Sequence, residues 1–183
     1  GWTVPCVAGL FSSLDTQAHR VMRYKAEGAV EMDTMSLAIP TVAEQFQAAG
    51  YTTSAFLKSI VIDSARGMSQ GFERFEVVGG AHQADGHSAR ELNDVAIPWI
   101  LAQKAASKPF FTYLHYMDGH SPYKAPEPWY SKYKGTYNSA LHGGHMQIEE
   151  MKKAGQVPTP DDIERLYALY DAEVEYWDSE FGR

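Results

Sequence analysis

The sequence is poor in cysteine: Cys6 is the only one among 183 residues. No disulfide can therefore close within the chain. It has no apolar run near the ~20 residues that a membrane helix needs. Its first residues lack the basic-then-apolar pattern of a secretory leader. No segment repeats, and no tract is of low complexity. Positive charge is short: 16 Lys and Arg stand against 23 Asp and Glu, a formal net charge of -7. A general nucleic-acid binder needs a basic face to meet phosphates, so that class is excluded. The deficit still leaves room for one local basic pocket that takes a single anion.

What is present is a globular balance, with 44% hydrophobic and 21% charged residues. The length suffices for one domain with a real core, residues 1–183. Thr3 to Ser13 is predicted as a short helix with Pro5 in its first turn, where a missing N–H is harmless. Residues 14–38 are polar and read as irregular. In IPTVAEQFQAAGY, Pro40 opens a helix, Val42, Ala43 and Phe46 mark one face, and Gly50 closes it. TTSAFL (52–57) is a strand, and GMSQGFERF (67–75) a glycine-punctuated loop packed on the core. Residues 88–106 have helical spacing at Leu92, Val95, Ala96, Trp99 and Ile100, which Pro98 should kink or interrupt. PFFTYLHY (109–116) reads as a buried strand, residues 121–138 as a Pro- and Tyr-rich loop. Residues 139–158 carry no clear pattern. Thr159-Pro160-Asp161-Asp162 starts a helix. Its stripe of Ile163, Leu166, Tyr167, Tyr170, Val174, Trp177 and Phe181 is expected to face the core. Strands separated by helices make the fold class α/β.

Three segments could carry chemistry. In WTVPCVAGLFSS a hydroxyl or thiol, Thr3 or Cys6, lies near the amide-rich start of a helix, which welcomes a tetrahedral anion. The plainer reading is that Thr3 is only a helix cap. Lys58 ends the strand TTSAFL, and ligands of α/β folds sit beyond the carboxyl ends of strands. An ammonium there can neutralise a transferring anionic group; an exposed surface lysine is the plainer reading. In LHYMDGHSPY (114–123) a strand ends in Asp118 and His120, a carboxylate and an imidazole able to protonate a leaving oxygen. His115 lies within that strand and reads as a core histidine. His115 with His120 lacks a second pair to complete a zinc site. The spacing of His142 and His145 reads as chance.

WTVPCVAGLFSSLDTQAHRV resembles the nucleophile segment of the sulfatase family, within the alkaline-phosphatase-like superfamily. That segment reads Cys or Ser, any residue, Pro, Ser, Arg, a small-apolar run, Thr-Gly, and later His-Gly-Val. IPTVAEQFQAAGYTTSAFLK, GFERFE, PFFTYLHYMDGHSPY and YDAEVEYWDSEFG are similar to later family segments, in the same order, with 130–160 unmatched. The resemblance implies a three-layer alkaline-phosphatase/sulfatase-like sandwich. It implies too that this chain is an internal piece, without the N- and C-terminal core strands that bear the family's Asp-Asp and Asp-His or Asp-Asn metal pairs. On that reading the chain alone is expected to be inactive.

By the same resemblance Thr3 is the nucleophile and a metal ligand, and Cys6 a small buried helix residue. Lys58 and His120 are catalytic contacts to the substrate's anionic group, expected to converge on Thr3, and Asp118 joins them in binding substrate. His19 is structural. A divalent metal is implied, calcium, magnesium, manganese or zinc. Three departures matter. Thr3 stands where sulfatases carry the Cys or Ser that becomes formylglycine, Val7 stands at the signature Arg, and Ile60 at a frequent His. No formylglycine is expected. A formylglycine hydrate can expel sulfate by elimination to an aldehyde, whereas a threonine ester must be cleaved by water or another acceptor. Thr3 thus tilts the reading toward phosphate esters. The expected function is hydrolysis of small-molecule, glycan or lipid sulfate or phosphate esters. The alternatives are a phosphodiesterase or phospho-head-group transferase, or a degenerate anion-binding relative.

Overall fold

A computed structural model describes residues 3–26, 29–79 and 88–183. Its elements in chain order are α1 (Thr3–Ser12), α2 (Thr16–His19), β1 (Arg23–Ala26), β2 (Ala29–Met32), α3 (Val42–Ala48), β3 (Thr52–Leu57), β4 (Arg74–Val77), α4 (Ser88–Ala105), β5 (Phe110–His115), α5 (Trp129–Lys132), α6 (His145–Lys153) and α7 (Pro160–Phe181). The chain divides into two compact units. One comprises Gly1–Ala81 with Asp94–His115, the other His82–Asn93 with Tyr116–Arg183.

In the first unit β3 is central, between β4 and β5, and both pairings are parallel. Its residues 53–57 are all buried, as expected for a strand covered on both faces. The register sets Ala55 beside Tyr113 and Leu57 beside His115. α1 buries Val4, Val7, Ala8 and Phe11, spaced to form one helical face. That face joins Ala55, Leu57, Ile62 and Met68 in one cluster, with Tyr113 and Phe72 packed against it. Phe11 meets Tyr113 edge-on, centroids 4.9 Å apart, and Phe72 at 5.3 Å. Further along, Phe72 and Phe46 both stack on Phe111.

α3 starts at Val42, two residues later than a Pro40 start would suggest. Thr41 is its cap, in a capping box with Glu44. Gln70 donates to Glu44 Oε2 at 2.7 Å, and that bond first of all holds the Glu44 carboxyl below its ordinary pKa. Gly71 closes on the same helix start. Its φ is +83°, and a Cβ there would lie 2.3 Å from the Glu44 nitrogen, so only glycine fits. Three expectations fail in this unit. Residues 14–38 are not irregular: they hold α2 and an antiparallel β1–β2 ribbon. The loop predicted over 67–75 runs into β4. Pro98 does not interrupt α4, which runs unbroken past it. Trp99 sits edge-on to both Phe56 and Phe110, packing that outweighs one missing backbone bond.

The second unit is built along α7. Thr159 caps it in a box with Asp162, and Pro160 opens it, as the sequence predicts. Its fully buried face is not the predicted stripe, of which Leu166 and Trp177 alone are half-buried, Trp177 packing on the core. Arg165, Ala168, Leu169, Ala172, Glu173, Tyr176 and Glu180 are inside. Ile163, Tyr167, Tyr170, Val174 and Phe181 are exposed, Tyr167 by 62%. The buried charges are paired. Arg165 donates to Lys134 O and Tyr130 Oη. Glu180 accepts from Arg90 and Arg183, each at 2.7 Å. Trp129 of α5 packs on Tyr176. α6 occupies 145–153, where the sequence showed no clear pattern. Among the described residues no helix is long and apolar enough to cross a membrane.

Phe11 is the side chain that seats α1. Phe11→Ala should therefore cost about 3–5 kcal/mol of stability, read as a lowered urea midpoint. A loss below about 1 kcal/mol would show that α1 is held some other way.

Candidate active site

Parallel strands bring their carboxyl ends to one edge of the sheet, and in α/β folds that edge is where ligands bind. Here β3 delivers Lys58 to it and β5 delivers His115. The Lys58 backbone N–H donates to His115 O at 3.0 Å, which locks the two positions side by side. Lys58 is only 4% exposed, so it is no solvated surface lysine. His115 is half-buried, and Tyr113 Oη lies 2.9 Å from its Nδ1. Burial lowers the His115 pKa, so the ring is neutral at pH 7. Burial likewise raises Tyr113, leaving it a neutral hydroxyl. Two residues past Lys58, Ile60 is 45% exposed at the same strand end.

Thr3 is exposed at the first turn of α1. The next residue, Val4, shares the buried cluster with Leu57, the residue before Lys58. Cys6 is exposed, not the buried residue expected. The helical turn explains it: Val4, Val7 and Ala8 take the inner face, and Thr3 and Cys6 lie on the outer one. Val7, at the signature Arg position, is buried. His19 is 3% exposed, and its Nδ1 accepts the Val21 N–H at 3.0 Å. Together with Arg20, Asp33 and Thr34 it lines a recess of about 570 Å³ in this unit.

Asp118 and His120 belong to the second unit, Thr3 and Lys58 to the first. His120 is exposed, and its Nδ1–H donates to Ser121 O at 2.7 Å. That bond fixes the ring tautomer and turns Nε2 into the available nitrogen. Asp118 directs Oδ1 at the backbone N–H of Ala89, 3.3 Å away in the first turn of α4, where a carboxylate suits the helix dipole. Among the described residues no three His, Cys, Asp or Glu side chains come together to hold a metal ion. Thr3 with its described neighbours therefore does not make a cage for the expected metal.

Glu173 is the group that sequence reasoning missed. It is 2% exposed and accepts the backbone N–H groups of Lys124 and Gly119. Burial, aided by the charge of Asp118, raises its pKa to about 7 against the two N–H bonds. The signal was its spacing. Leu169, Ala172 and Tyr176 recur around it at helical intervals, so Glu173 stands on an otherwise compact inner face.

The family model described as Sulfatase matches residues 1–183. Among solved structures, the lipoteichoic acid synthase LtaP from Listeria monocytogenes is similar at a TM-score of 0.56 and 15% identity, over 98% of this chain and 38% of that one. BT4656, solved in complex with its substrate D-glucosamine-2-N,6-O-disulfate, also reaches 0.56 at 15% identity, over 100% of this chain and 51% of that one. At such identity the likeness is one of fold. The chain spans about half or less of these relatives' length. No match was found among curated proteins.

Glu173 sets the sign of a pH dependence. Its folded pKa of about 7 lies above the ordinary 4.5, so the folded chain binds more protons than the unfolded one. Its stabilisation is complete below about pH 4.5 and is lost as pH rises through 7, a loss of about 3 kcal/mol. Urea unfolding at pH 5 and pH 8 should show that difference in wild type, and Glu173→Gln should flatten it.

Proposed function

Because the chain belongs to the sulfatase family, we propose that it supplies the nucleophile and the anion contacts of an enzyme that cleaves sulfate or phosphate esters. The observation that carries this reading is Lys58, an ammonium-bearing side chain buried at the carboxyl end of a parallel strand. That edge of the sheet is where α/β folds take ligands, and an ammonium there can offset the charge of an anionic group. The apolar inner face of α1, which shares one cluster with β3, is the second support.

In the proposed reaction the Thr3 hydroxyl gives its proton to water, and Oγ1 attacks phosphorus or sulfur. The ester oxygen leaves with its bonding electrons and takes a proton, for which Nε2 of His120 in its imidazolium form is the proposed donor, its Nδ1–H staying on Ser121 O. Lys58 offsets charge on the transferred group. Water then attacks the Thr3 ester, releases the anion and restores the hydroxyl. A divalent metal of the family kind would have Thr3 as one ligand and would favour the ionised hydroxyl. Its remaining ligands would have to come from beyond the described residues. The substrate class is a small-molecule, glycan or lipid ester, in keeping with the disulfated glucosamine bound by BT4656.

A second reading is transfer of a phospho head group to an acceptor alcohol. Thr3 is compatible with it, since a threonine ester cannot eliminate to an aldehyde and must pass its group to water or another acceptor. The fold likeness to a lipoteichoic acid synthase agrees. In the full-length protein Thr3→Ala should lower kcat on the order of a thousandfold or more with an unchanged circular dichroism spectrum. Unchanged turnover would remove Thr3 from the reaction. Product analysis with glycerol added separates the readings: a glycerol adduct marks transfer, the free anion alone marks hydrolysis.

A further inference from the structure

We propose that Glu173 is a positioning residue for His120: one buried carboxyl on α7 accepts the backbone N–H groups of Gly119 and Lys124, and so pins the loop 119–124 that carries the imidazole at both ends. The functional part of this inference rests on reading His120 as an anion contact. The pin itself does not.

Two positions one helical turn apart grip the loop. Glu173 takes the two amides. Tyr170 lays its ring against Gly119, where an added Cβ would come within 3.3 Å of the ring. Tyr170 also meets Tyr123 edge-on at 6.1 Å. Gly119 has φ +80°, a conformation that an L side chain resists. The remaining ties of the loop are local or single. His120 N–H donates to Met117 O, Tyr123 N–H to Gly143 O, and the His120 ring to Ser121 O. None of these fixes both ends at once. A buried carboxyl 2% exposed would be costly if it accepted nothing. Satisfied from two sides, it instead holds the loop to a long helix, the kind of support that keeps a functional side chain in place.

The test uses the full 183-residue chain, labelled with nitrogen-15, with Glu173→Ala and Glu173→Gln as variants. In Glu173→Ala, exchange at the Gly119 and Lys124 amides should quicken at least tenfold, while Ala168 and Tyr176 on α7 change less than twofold. The His120 ring nitrogen shifts should move toward those of a free imidazole. Glu173→Gln keeps a carbonyl oxygen and should restore Lys124 protection. Unchanged exchange at both amides in Glu173→Ala would overturn the inference. So would equal losses along α7 in both variants, which would mean a merely structural carboxyl. Titration with inorganic phosphate separates the inference from the reading beneath it. A loosened loop with no His120 response to phosphate in wild type leaves the pin standing and removes the anion contact. An equal His120 response in wild type and Glu173→Ala keeps the contact and removes the positioning role.

Discussion

Phe11 set edge-on against Tyr113 is the contact on which the first unit depends. An aromatic pair at this distance and angle contributes on the order of 1 kcal/mol beyond its buried area. Its larger effect is geometric. Phe11 fixes which face of α1 meets the sheet, and Val4, Val7 and Ala8 follow by helical spacing. Once that face is inside, Thr3 and Cys6 are outside by the same geometry. The exposed hydroxyl at the first turn is thus a consequence of core packing at the other end of a ten-residue helix.

A second constraint is the parallel pairing of β3 and β5. Parallel strands align their carboxyl ends, so the residues leaving them meet at one edge without any further device. The bond from Lys58 N–H to His115 O continues the ladder one step past β3. Burial around this edge then acts on chemistry. It lowers the His115 pKa and raises that of Tyr113, which favours the neutral form of both.

The sequence was legible where one local signal met no competitor. TTSAFL became β3 residue for residue, and Thr159 with Asp162 became the predicted helix start. Lys58 follows that strand directly, at the strand end expected from the spacing. Signals failed where tertiary contacts decided. Pro98 stays inside α4 because Trp99 packs on two phenylalanines, a pairing invisible from the local sequence. Cys6 was assigned a buried place by its smallness, while the face occupied by its neighbours excluded it. Glu173 gave only the signal of its spacing, easily passed over because a glutamate on a helix is ordinarily solvated. Only its partners, two backbone amides from a distant loop, give it meaning.

The buried face of α7 has its own physical logic. Burying Arg165, Glu173 and Glu180 is tolerable only because each is matched: by a carbonyl and a phenol, by two amides, and by two guanidiniums. Such matches confer little net stability, but removing one partner strands a charge, so they specify one register of the helix over its neighbours. The opposite face, with Ile163, Tyr167, Tyr170, Val174 and Phe181, has the spacing of a helix face meant for burial. α7 thus carries matched charges inside and an apolar stripe outside, beside the exposed Asp161, Glu164, Asp171 and Asp178. Contiguous apolar exposure of that kind marks a surface that other protein atoms or a ligand normally cover. The polar side fixes where α7 sits and, through Glu173 and Tyr170, what it holds; the apolar side then remains for covering, and the two tasks do not compete for the same residues except at Tyr170.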